Sequence, residues 1–188
     1  PKDNIERAIQ KAVGGADGES YELVAYEGYG PAGVAVIAEC LTDNRNRTAA
    51  EVRHAFSRHG GSLGTTGCVA YLFSRIGEIQ LAEGTDEDEA LMAAADAGAE
   101  DVTSDDGMVL VTCQPTDLMA VRAALESAGF DVERSELVLQ PSTSVDLDEA
   151  SARTTLNLVD ALEDLDDVQK VWANFEISDD VFAAVAGD

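Results

Sequence analysis

The stretch EASARTTLNLVDALED, residues 149–164, followed by VQKVWANFEI, residues 168–177, decides how this chain folds. The first reads as a helix, and the second as a strand rich in Val, Trp, Phe and Ile. A helix and a strand alone cannot enclose a core. Nothing just before them offers a partner, because Pro141 to Ser144 breaks the pattern and reads as a linker. The partners must therefore lie further back in the chain.

Moving outward, residues 78–139 read as a self-sufficient block. Strand Glu78–Leu81 leads to a helix over Glu87–Ala97, then a short strand Asp101–Thr103 and the turn Ser104–Gly107. Strand Met108–Cys113, a helix with Leu118, Val121, Leu125 and Ala128 on one face, and strand Asp131–Leu139 complete βαββαβ, the ferredoxin-like order. The block before it is incomplete. Strands Tyr21–Tyr26 and Val34–Leu41, a helix Thr48–His59 and a strand Cys68–Phe73 make ββαβ. The helix is expected to start at a Thr48-x-x-Glu51 capping box and to end at Gly60-Gly61. The late helix and strand complete this block. The expected fold is α/β (α+β): two ferredoxin-like domains, the acidic one at 77–145 inserted into a discontinuous one at 20–76 plus 146–188.

Ile5, Ala8, Ile9, Ala12 and Val13 put one apolar stripe on a helix Asp3–Val13. Nothing precedes that stripe for it to pack on, and the chain opens with Pro. Residues 1–15 are therefore expected to be the remnant of an N-terminal helical domain.

Charge divides the chain further. Residues 1–76 hold 8 of the 12 lysines and arginines and 9 of the 37 acidic residues, so they are near neutral; the rest has 4 basic and 28 acidic residues. A formal net charge of −25 argues against a generic nucleic-acid coat, because phosphate is repelled. Any phosphate contact must come from the early block. No apolar run approaches the ~18 residues of a membrane span, and no signal segment opens the chain, so a cytoplasmic protein with no membrane partner is expected. Cys40, Cys68 and Cys113 stand alone and read as small buried hydrophobes of a reducing compartment.

TDNRNRT, residues 42–48, is the informative segment. Two arginines alternate with two asparagines between a buried strand and a helix, in what reads as an exposed loop. The helix adds Arg53, His54 and Arg58, of which His54 and Arg58 share a face at i, i+4. Arg and Asn are the side chains that most readily contact phosphate oxygens and base edges. The bland alternative is a polar loop whose arginines pair with acidic neighbours. Other motifs are weaker. GYGPAG, residues 28–33, matches G-x-G-x-x-G but runs into a strand instead of a helix, so it reads as a connection between strands. GGSLGTTG, residues 60–67, lacks the Gly-Lys-Ser/Thr of a phosphate-binding loop and reads as a turn. His54 and His59, at i, i+5, do not converge on a metal. No catalytic constellation stands out, and neither an enzyme nor a cofactor is expected.

Five segments in order, PKDNIERAI (1–9), YEGYGP (26–31), TDNRNRT (42–48), EVRHAF (51–56) and GTTGCV (64–69), resemble the YebC/PmpR family. That family includes the mitochondrial translational activator of cytochrome c oxidase. The resemblance runs essentially from residue 1 to the last strand and is densest over 1–75. It implies a helical first domain with a basic tail, followed by two ferredoxin-like domains. Bacterial members are described as DNA-binding transcriptional regulators; others act in translation at the ribosome and relieve stalling. On the matching positions it implies nucleic-acid contact by Arg45, Asn46, Arg47, Arg53, His54 and Arg58, with Lys2, Arg7 and Lys11 on the first helix. The expected partners are a nucleic acid, DNA or rRNA/mRNA, and the ribosome, with the chain acting as a monomer. A small-molecule sensor built on tandem ferredoxin-like domains is the alternative from another class.

Overall fold

The structure, a computed structural model, describes residues 20–187. The expected first helix, with Lys2, Arg7 and Lys11, lies outside the described residues. The chain forms two compact units: one runs up to Leu72 and resumes at Pro141, and the other is Phe73–Gln140.

The discontinuous unit opens with a hairpin, β1 (Glu22–Tyr29) and β2 (Ala35–Thr42), paired antiparallel from Glu22↔Thr42 to Tyr29↔Ala35. Helix α1 (Arg45–Arg58) follows, and then β3 (Ser62–Leu63) returns beside β1. The late segment supplies β8 (Val145–Asp146), α4 (Glu149–Glu163), β9 (Val168–Ala173), β10 (Phe175–Glu176) and α5 (Asp179–Ala186). β9 pairs antiparallel with β2, giving the order β3-β1-β2-β9. Val36, Ala38 and Cys40 of β2 form one core with Val52 and Phe56 of α1 and Ala152, Leu158 and Leu162 of α4. The sheet is thus backed by one early and one late helix.

The second unit runs β4 (Phe73–Leu81), α2 (Glu87–Ala94), β5 (Ala99–Asp105), β6 (Met108–Cys113), α3 (Leu118–Ser127) and β7 (Val132–Pro141). Its strand order, β5-β6-β4-β7, is that of the ferredoxin-like βαββαβ. The first unit reaches the same plan of four strands and two helices by a different path, with a hairpin at its centre. The molecule has a two-domain α+β fold.

Several local readings change. Residues 68–72 are not a strand: they form an irregular connection closed by a 3-10 turn at Ala70–Leu72. The strand expected at Glu78–Leu81 starts earlier, with β4 running from Phe73 through Ser74–Gly77. A Cβ on Gly77 would lie 2.7 Å from the Cys113 sulfur and 3.1 Å from Leu118, so this glycine admits the close approach of α3's first turn to the sheet. The expected strand 168–177 breaks at Asn174, whose side chain accepts from the Ala35 amide at 2.7 Å and donates to the Thr143 carbonyl at 3.2 Å. That amide group ties the linker to the hairpin. β10 then pairs in parallel with β8.

Gly28 is equally constrained. A side chain there would meet the Ser62 carbonyl at 2.6 Å and the Phe56 ring at 2.8 Å. Gly28→Ala is expected to destabilise the discontinuous unit by about 1–3 kcal/mol through overpacking. A denaturant midpoint unchanged from wild type would show that β3 and Phe56 can give way.

Candidate nucleic-acid interface

The basic segment is helix and not loop. α1 starts at Arg45, and its N-cap is Asn44, whose side chain accepts the Arg47 amide at 3.1 Å. The expected capping box at Thr48 does not form. Thr48 is fully buried, and its hydroxyl donates instead to Asp167 Oδ2 at 2.7 Å. An Asn cap one turn earlier satisfies an end amide, so Arg45, Asn46 and Arg47 become the first turn.

The helical period then sorts the candidate residues. Val52, Ala55 and Phe56 point into the core. Arg47, His54 and Arg58, at i, i+7 and i+11, form one exposed row, and Asn46 and Arg53, at i and i+7, form a second beside it. Arg45 continues the buried row of Val52 and Phe56 and is turned towards β1. Its guanidinium lies 3.7 Å from Glu22, and its carbonyl accepts from the Tyr26 hydroxyl at 3.1 Å. Four arginines stand against one glutamate on α1, in an otherwise acidic chain. Arg53, His54 and Arg58 make no ion pair with an acidic side chain among the described residues.

Arg47 has a structural engagement. Its Nη2 donates to Asp167 Oδ2 at 2.8 Å and to Asp43 Oδ1 at 2.9 Å. These hydrogen bonds, to Asp167 first, push the guanidinium pKa up. Asp167, in the turn before β9, is 6% exposed. Burial raises its carboxyl, but hydrogen bonds from Arg47, Thr48 and Thr42 together with the Arg47 charge outweigh burial and hold it below the usual carboxylate range. Thr42 Oγ1 lies 3.4 Å from the same oxygen and accepts the Asn44 amide at 2.9 Å. The Asp167 carbonyl also accepts the Leu41 amide at 2.8 Å. One residue of the late segment thereby anchors both the end of β2 and the start of α1. Sequence reasoning missed Asp167 because it sits in an acidic run, Asp164 to Asp167, where one carboxylate looks like the next. The threonines at 42 and 48, flanking the arginines, were the available signal.

Burial, then the charges of Asp167 and Glu39, push the nearby Cys40 thiol up to about 12, so it stays protonated at neutral pH. His59 caps the helix, its amide donating to the Ala55 and Phe56 carbonyls. Among the described residues no cluster of three or more His, Cys, Asp or Glu is arranged to hold a metal ion. No helix of the described residues is long and apolar enough to cross a membrane.

Comparison with known proteins places this arrangement. Residues 21–175 match the family model of the TACO1/YebC second and third domain. A probable transcriptional regulatory protein of Cupriavidus necator is 55% identical over 180 residues, covering 95% of this chain and 75% of the relative. One from Rubrobacter xylanophilus is 52% identical over 189 residues, 100% of this chain and 76% of its own length. The crystal structure of a conserved hypothetical protein from Aquifex aeolicus superposes with a TM-score of 0.79 at 46% identity, covering 95% of this chain and 74% of that one. With the hairpin, the inserted unit and most of the late segment all inside the matched span, this chain belongs to the TACO1/YebC family.

Proposed function

We propose that the chain is a nucleic-acid-binding regulator of gene expression that contacts RNA, at the ribosome, through the outer face of α1. The observation that carries this reading is the pair of adjoining exposed rows, Arg47–His54–Arg58 and Asn46–Arg53, on a chain whose net charge is −25. Of these, Arg53 and Arg58 are without an acidic partner among the described residues, and such cations on one helix of an acidic protein are suited to an anionic ligand. The names of the relatives, probable transcriptional regulatory proteins, support the same class of ligand.

RNA is preferred over duplex DNA for a geometric reason. A helix reading a major groove about 12 Å wide brings the flanking phosphates against its neighbours. Packed helices lie about 8–10 Å apart, and α4, which shares α1's core, exposes Asp160 and Glu163, with Asp164 and Asp166 just beyond its end. Those carboxylates oppose a duplex backbone. A single strand or an irregular RNA surface can engage α1 without meeting them.

The test is an affinity measured against salt for single-stranded RNA and for duplex DNA of the same sequence. Arg53→Ala with Arg58→Ala removes two contacts without touching the Asp167 network. The slope of log affinity against log salt is expected to flatten by about 1.4 for RNA. Tight, sequence-selective duplex binding that ignores this double change would reverse the reading. In cell extracts the wild-type chain is expected to sediment with ribosomes in a salt-sensitive manner, and the double variant to be lost from them.

A further inference from the structure

Gly64-Thr65-Thr66-Gly67, between β3 and the turn at Ala70–Leu72, reads in sequence as a mere turn, yet the structure commits an interior acid to holding it. Glu27 on β1 is 5% exposed. Its carbonyl accepts the Gly64 amide at 2.8 Å, and its carboxylate accepts the Gly67 amide. Burying a carboxyl group is costly unless its oxygens are hydrogen-bonded, so this side chain fixes the loop at the expense of its own hydration. The glycines are required by the path. Gly67 has φ +88°, and a Cβ on Gly64 would lie 2.6 Å from the Cys68 sulfur.

Between these clamps Thr65 and Thr66 are exposed, and among the described residues neither their amides nor their hydroxyls donate a hydrogen bond. Two tyrosines lie just beyond the second clamp, one in contact with Cys68 and the other four residues after Gly67. The Tyr29 hydroxyl donates to the Cys68 carbonyl at 3.4 Å, and contact with the Tyr71 hydroxyl is the first cause of its raised pKa. Tyr71 is 72% exposed, on a turn fixed by fully buried Val69, whose carbonyl accepts the Leu72 amide at 2.9 Å.

We infer that the Gly64–Gly67 loop and the Tyr71 ring form a second contact for single-stranded RNA, in which a backbone phosphate or 2′-hydroxyl meets Thr65 and Thr66 and an unstacked base lies on Tyr71. This inference rests on the reading of the protein as RNA-binding. A loop flanked by glycines lets the nucleic-acid backbone approach closely and leaves amides and hydroxyls as donors, the chemistry used by G-x-x-G loops. An exposed ring accepts a base of any sequence, but only from a strand whose bases are free to leave their stack. The loop itself carries no cation, so its contribution is insensitive to salt, unlike that of α1.

The experiment uses the full chain and a fluorescein-labelled single-stranded RNA of about a dozen nucleotides, with the matching DNA duplex beside it. Tyr71→Ala is expected to weaken RNA binding about ten-fold at every salt concentration, leaving the salt slope unchanged, while Tyr71→Phe stays near wild type. Because Tyr71 is exposed, both variants fold, which a thermal melt verifies. If Tyr71→Ala binds as wild type while the Arg53/Arg58 double change weakens binding, this inference fails and α1 stands alone as the contact. Equal loss in Tyr71→Phe and Tyr71→Ala would mean that the hydroxyl matters and not the ring, which also overturns it. Absence of binding to either probe would sink both this inference and the RNA-binding reading.

Discussion

Deletion of residues 149–187 is expected to abolish folding of the discontinuous unit while residues 73–140 stay folded. The late segment contributes Leu158, Leu162 and Val168, each at most 1% exposed, to the core it shares with β2 and α1. Each such side chain is worth about 1.5–3 kcal/mol when buried. Their combined loss is comparable to the whole stability of a domain, about 5–15 kcal/mol. β2 would also lose its partner β9 and become an edge exposing unpaired amides. The inserted unit keeps its own core, Ile79, Leu81, Val109, Val111, Val121 and Leu125, none of which comes from the late segment. Amide hydrogen exchange checks this directly. Protection in 22–63 should vanish, and protection in 73–140 should persist. A cooperative melt from residues 20–72 alone would show that β9 and α4 are dispensable to that core.

The Asp167 network carries the second large effect. Asp167→Ala is expected to cost about 2–4 kcal/mol, because the Thr48 and Thr42 hydroxyls lose their acceptor and Arg47 is left with Asp43 alone. The lower part of that range applies if water reaches Arg47, whose side chain is 45% exposed. Trp172, the single tryptophan, lies on β9 five residues beyond, and its indole donates to Glu39 at 2.9 Å. Its fluorescence reports unfolding of this unit. The pH dependence follows from the sign of the shift. Asp167 is held below its ordinary value in the folded state, so the folded protein favours the carboxylate. Its contribution is complete above the unfolded value of about 3.9 and is lost as pH falls through the lower folded value. Asp167→Asn should therefore differ most from wild type near neutral pH, with the gap closing in acid. A gap that widens in acid would contradict the network. Arg47→Ala should act mainly through this same loss of stability, which separates it from Arg53 and Arg58, where only binding should change.

Periodicity and turn residues were enough to place most helices and strands, because amphipathic stripes such as Leu118, Val121 and Leu125 answer to one buried face wherever that face is. The need for a partner pointed to the link between residues 20–63 and 145–177, since a helix and a strand cannot close a core. Local chemistry was less legible. Asn44 and Thr48 are both good caps in isolation, and only the buried carboxylate of Asp167, 119 residues away from Thr48, decided that Thr48 turns inward and the helix begins at Arg45. Glu27 and Tyr71 gave no local sign, because one is an acid among many and the other stands in what looked like a strand. By itself the sequence determined the α+β class, the family, and the shared outward face of His54 and Arg58. Tertiary structure alone decided which arginine is tied down, which glycine loop is clamped and where the late strand breaks. The physical reason is that periodicity is a property of neighbours in the chain, whereas a buried charge is placed by partners that only the fold brings together.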